Sequence, residues 1–87
     1  MPQTTVVVGS RSGLHARPVS LLAKKAATLS ARITIGREGD RQVDARSLLG
    51  VLGLAVAHGE AVLLTAEGDD ADAALAEVAA LLSTETD

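Results

Sequence analysis

None of the 87 residues is Phe, Tyr or Trp, although 47% are hydrophobic. A core must therefore be assembled from Val, Ile, Leu and Ala, which fill space only by tight interdigitation. A chain of this length closes one core, so residues 1–87 are expected to form a single domain. Cysteine is absent as well, which removes disulfides, thiolate catalysis and cysteine-based metal sites. Without aromatics there is no platform for stacking bases, and the net charge is −3, so nucleic-acid binding is disfavoured. The first ten residues lack the basic flank and length of a signal peptide, and no run reaches membrane-spanning length. The expectation is a cytoplasmic protein without membrane insertion.

The hydrophobic pattern changes period along the chain. Thr4–Val8 is β-branched and closed by Gly9, which predicts a strand. From Ala16 to Leu29, Val19, Leu22, Ala26 and Leu29 recur at helical spacing, with Lys24 and Lys25 on the other face. Pro18 is tolerated only in a first turn, so this helix must start near residues 15–17. Arg32–Arg37 alternates as a half-buried strand, Glu38-Gly39-Asp40 reads as a turn, and Arg41–Ala45 as a short return strand. Ser47 is placed to cap a short helix over residues 48–54, and Glu60–Ala66 follows His58-Gly59 as a fourth strand. The last helix opens at Gly68-Asp69-Asp70, buries Ala71, Leu75, Val78 and Leu82, and frays over Ser83–Asp87. The order βαββαβα predicts an α+β, two-layer open-faced β-sandwich: a four-stranded antiparallel sheet with three helices on one face.

Charge is divided unevenly. Residues 1–46 hold all eight basic residues and three acids, giving +5; residues 47–87 hold eight acids and no Lys or Arg, giving −8. Such a split suits a basic region that meets anionic partners, although a merely solvated surface has the same composition.

The segment Gly13-Leu14-His15-Ala16-Arg17-Pro18 joins strand to helix. A helix start offers unpaired N–H groups and a partial positive charge, which together favour an anion. Arg17 adds a fixed cation whose fork matches phosphate oxygens. Neutral imidazole is a nucleophile, and phosphoryl transfer asks a protein mainly for positioning and charge stabilisation. The bland alternative is a helix-capping histidine beside a solvated arginine.

This hexapeptide resembles the active-site motif of the HPr family, the histidine-containing phosphocarriers of the bacterial phosphoenolpyruvate:sugar phosphotransferase system. Arg46-Ser47-Leu48-Leu49-Gly50-Val51-Leu52-Gly53-Leu54 looks like the family's second signature, around its regulatory serine, and length and element order match over essentially the whole chain. The resemblance implies that His15 is phosphorylated on Nδ1 by phospho-enzyme I and donates to IIA domains of sugar permeases. It implies that Arg17 neutralises the phosphoryl charge and that the Ala16 and Arg17 N–H groups hold the phosphate. It aligns Ser47 with the serine that a dedicated kinase phosphorylates in some bacteria. Partner docking is expected at Leu48, Leu52 and Lys24, with one or two of Leu48, Leu49 and Leu52 exposed.

The sequence departs from the family at Val19, where Ala is common, at the leucines of 48–52, which replace a more methionine-rich patch, and at His58, often Lys. No role is carried onto His58, and two histidines alone do not make a zinc site. Neither metal nor cofactor is expected, and a monomer suits a shuttle. Two other functions compete with a carrier that is not itself an enzyme. One is a regulatory module of the same fold controlled at Ser47. The other is a small hydrolase using His15 as base, for which no Ser/His/Asp set or paired carboxylates are evident.

Overall fold

A computed structural model describes residues 2–84 of the chain. Its elements are β1 (Gln3–Val7), α1 (Ala16–Thr28), β2 (Arg32–Gly36), β3 (Val43–Asp44), α2 (Leu48–Leu52), β4 (Ala61–Glu67) and α3 (Ala71–Ser83). The four strands form one antiparallel sheet of order β1-β4-β2-β3, so β4, last in the chain, lies between the first two. The expected α+β sandwich, with its four-stranded antiparallel sheet and three helices, is the fold observed.

Alternation decides which face of the sheet is covered. Val6 and Val8, Ile33 and Ile35, and Val62, Leu64 and Ala66 point inward and are buried. They meet Val19, Leu22 and Ala26 of α1, Val51 of α2, and Ala74, Leu75, Val78 and Leu82 of α3 in one continuous cluster. Each fully buried Val, Leu or Ile stabilises the fold by roughly 1.5–3 kcal/mol relative to exposure, so many modest side chains replace a few aromatic anchors. Among the described residues no helix is long and apolar enough to cross a membrane.

Several boundaries differ from the sequence expectation. The return strand is only Val43–Asp44, because Gln42 turns its side-chain amide to donate to the Arg37 and Asp40 carbonyls at 3.0 and 3.2 Å. The Arg41 carbonyl there lies where a Cβ on Gly36 would collide with it, so only glycine admits the crossing. The short helix ends at Leu52 rather than 54, and Leu54 closes a turn through its N–H to the Val51 carbonyl at 3.1 Å. Leu29 is the half-buried C-cap of α1 instead of a stripe residue, and Ala74 is more deeply buried than Ala71. Of the expected fraying tail, Ser83 belongs to α3, while residues 85–87 lie outside the described residues.

The strand register gives the sheet two distinct ends. At one, Val7 pairs with Ala61 and Gly36 with Leu63; at the other, Gln3 pairs with Thr65 and Arg32 with Glu67. The first end feeds the 8–15 loop and receives the 53–60 loop. There the Gly9 N–H also donates to the Leu82 carbonyl at 2.9 Å, tying the exit of β1 to the end of α3.

Candidate functional site

The loop from β1 to α1 is built on backbone contacts. Gly13 adopts φ +73°, and its N–H donates to the Ser10 carbonyl at 3.0 Å. Leu14 buries its side chain and donates its N–H to the Val56 carbonyl at 2.9 Å. A Cβ on Gly13 would collide with that same carbonyl oxygen. Glycine is therefore required twice over, by its left-handed backbone and by the close approach of the 54–57 segment.

His15 is the N-cap of α1, in extended conformation, and its side chain makes no capping hydrogen bond. Its main-chain carbonyl accepts the first intrahelical bond, from the Val19 N–H at 3.1 Å. The imidazole is thus free of the structural task that the bland reading assigned to it. Its Nε2 is buried and has no hydrogen-bond partner. The N–H groups of Ala16 and Arg17 have no backbone acceptor, and Pro18 has no N–H to satisfy. Both residues are exposed, and Arg17 has no ion-pair partner among the described residues. One nucleophilic ring, two unclaimed N–H donors and one unclaimed guanidinium therefore share three consecutive positions at a helix start.

The other predicted residues are placed as follows. Ser47 is exposed and is the N-cap of α2: its Oγ accepts from the Gly50 N–H at 3.1 Å. Leu48 is 41% exposed and Leu49 82%. Leu52 is partly buried and packs against the core, so Leu48 and Leu49 are the two exposed leucines of the three. The reason is helical geometry: Val51 turns fully into the core, Leu52 follows it part way, and Leu49 points outward. Helix α2 packs against α1, on which Lys24 is exposed and Lys25 pairs with Glu77 at 3.3 Å. His58 is exposed in the turn before β4.

Sequence reading missed a polar clamp behind the site. Arg37 donates through Nε and Nη2 to Glu60 at 2.8 and 3.1 Å, and through Nη1 and Nη2 to the Leu54 and Ala55 carbonyls at 2.8 and 3.3 Å. Glu60 Oε1 also accepts from the Ala57 N–H at 2.8 Å. These bonds hold the Glu60 carboxyl down at about 2, the arginine contributing most and the Ala57 N–H next. Nothing local announced the pair, whose members lie 23 residues apart. A basic residue at one strand end and an acid at the start of its neighbour were the only available signals.

Known proteins resemble this chain along nearly its whole length. Residues 2–84 match the family model described as the PTS HPr component phosphorylation site. The chain is 47% identical over 83 residues to the phosphocarrier protein HPr of Haloferax volcanii, covering 94% of this chain and 93% of the relative. It is 37% identical to the HPr of Streptomyces coelicolor over 95% and 89% of the two chains. The crystal structure of HPr from Bacillus anthracis superposes with a TM-score of 0.87 at 37% identity, over 93% of this chain and 95% of that one. Motif, fold and whole-length similarity agree, and the chain belongs to the HPr family of phosphocarrier proteins of the phosphotransferase system.

Proposed function

We propose that His15 is the phosphoryl acceptor and donor of this carrier, taking the group from phospho-enzyme I and passing it to IIA domains of sugar permeases in the cytoplasm. The observation that carries this reading is the unclaimed imidazole, released from capping, beside unclaimed N–H groups and an unclaimed Arg17. Nδ1 is the reacting atom. A neutral ring with its proton on buried Nε2 presents its lone pair at Nδ1. That lone pair attacks phosphorus, an N–P bond forms, and the donor's bond to phosphorus breaks with its electron pair left on the donor. The Ala16 and Arg17 N–H groups and the Arg17 guanidinium take up the charge on the equatorial oxygens. Transfer onward reverses these roles. The protein acts as a relay between two partners and is not itself an enzyme.

Leu48 and Leu49 form the apolar part of the docking surface, with Lys24 and Arg17 as its cationic part. Ser47, at the base of that surface, is the place for regulation. A phosphate there suits the helix start but sets a dianion beside the leucines that partners must cover. Finding no phosphorylated Ser47 in the native host would remove the regulatory reading without touching the carrier.

The test of His15 is an intact mass after incubation with phosphoenolpyruvate, magnesium and enzyme I from the same organism. The expected result is a gain of about 80 Da, one covalent phosphoryl group, lost in acid and absent from His15→Ala. A His15→Ala chain that still gains the group, or a wild-type chain that never does, would overturn the assignment.

A further inference from the structure

We infer that Arg37 and Glu60 are positioning residues for His15, acting through the 54–57 loop against which Leu14 is seated. This rests on the reading of His15 as phosphoryl acceptor.

The connection runs through hydrogen bonds to the main chain of the loop and through the covalent backbone on either side of Val56. Arg37 spends all three guanidinium nitrogens on the loop and its anchor: Nη1 on the Leu54 carbonyl, Nη2 on the Ala55 carbonyl and Glu60, and Nε on Glu60. Glu60 in turn accepts from the Ala57 N–H. Residues 54, 55 and 57 are thus each held through a main-chain atom, and Val56 between them has little freedom left. Its side chain is buried and its carbonyl receives the Leu14 N–H. Leu14 is the residue before the N-cap, so the position of the Val56 carbonyl sets where α1 begins and where the imidazole stands.

Ala55 gives the clamp a task that a simple surface ion pair would not have. It sits at φ +53°, in the left-handed region that β-carbon-bearing residues avoid. A free loop would relax from that conformation. Arg37 holds the carbonyls on both sides of the Ala55 α-carbon, that of Leu54 before it and that of Ala55 itself. The planar fork donates to both carbonyls and to both Glu60 carboxylate oxygens at once, more bonds than the three donors of a lysine supply.

The experiment compares Arg37→Gln, Arg37→Lys and Glu60→Gln with the wild-type chain, each confirmed folded by circular dichroism. Two quantities are read: the initial rate of phosphorylation by enzyme I against carrier concentration, and the hydrogen-exchange rate of the Leu14 amide. Misplacing a reacting group by about 1 Å costs up to ~100-fold. Arg37→Gln is therefore expected to lower the maximal rate about tenfold or more while KM changes less than about twofold, with faster Leu14 exchange. Arg37→Lys is expected to fall between it and wild type on both readings. Unchanged maximal rate in the folded variants, or a lowered rate with Leu14 exchange unaltered, would overturn the inference. Should Arg37→Gln not fold, Glu60→Gln decides alone, since a glutamine oxygen still accepts from Ala57 while the charge on Arg37 loses its partner. A wild-type chain that enzyme I does not phosphorylate is a different failure, that of the His15 reading itself.

Discussion

Gly13 and Gly39 have nearly the same backbone, φ +73° and +79°, in very different surroundings. A Cβ on Gly13 would strike the Val56 carbonyl, whereas one on Gly39 would meet nothing within 4 Å. Gly39→Ala should therefore cost only the left-handed penalty of about 1–2 kcal/mol. Gly13→Ala should cost more, about 3 kcal/mol or above, because the main chain of residue 56 must move as well. Urea unfolding of the two variants checks the difference, and equal losses would mean that the contact between Gly13 and Val56 is soft. At His15 the residue scale also explains why the motif could be read in advance. Histidine, arginine and proline at a helix start act on atoms close in sequence, so their meaning is local, whereas only half of the demand on Gly13 is local: its left-handed backbone was legible, its contact with the distant Val56 carbonyl was not. Ser47 was legible for the same reason, its Oγ reaching an N–H only three residues on.

At the scale of elements, local reading loses its reach. Helix α1 was legible because its apolar spacing and Pro18 fix both its face and its start. The insertion of β4 between β1 and β2 was not, since strand order depends on pairings far apart in sequence. The Arg37–Glu60 clamp lies where two such strands meet and was invisible on the same ground. The shortening of β3 followed from a side chain, Gln42, outcompeting the ladder for the Arg37 carbonyl. The clamp carries a pH signature. The Glu60 carboxyl titrates at about 2 in the fold, against 4.5 ordinarily. A lowered folded value means that its stabilising contribution is complete above the ordinary value and is lost as pH falls toward the folded one. Stability should thus decline as pH drops from about 4.5 to about 2, and Glu60→Gln should flatten that part of the curve while lowering the plateau above it. Urea midpoints measured across the window test this; an unchanged slope in Glu60→Gln would assign the decline to other carboxylates.

For the whole molecule, the charge division seen in the sequence is partly neutralised from within. Lys25 pairs with Glu77 and Arg37 with Glu60, joining the basic and acidic parts of the chain, while Arg32 and Arg46 both turn to Asp44. Arg17 and Lys24 have no ion-pair partner among the described residues and lie on α1, which packs against the helix that exposes Leu48 and Leu49. Electrostatic steering and apolar docking should then separate experimentally. Transfer from enzyme I is expected to slow as salt rises from about 50 to about 500 mM, through reduced association. Leu49→Ser is expected to raise KM at every salt concentration, with stability changed by no more than about 0.5 kcal/mol. A salt-independent rate, or a KM indifferent to Leu49, would place the docking surface elsewhere. The two ends of the sheet have a practical consequence too. Because the chain contains no cysteine, a single thiol introduced at exposed Gln3 can carry a fluorophore or a surface tether. That position lies at the opposite end of β1 from the His15 loop, about 13 Å along the strand, so an immobilised carrier would still present the His15 loop to partners arriving from solution.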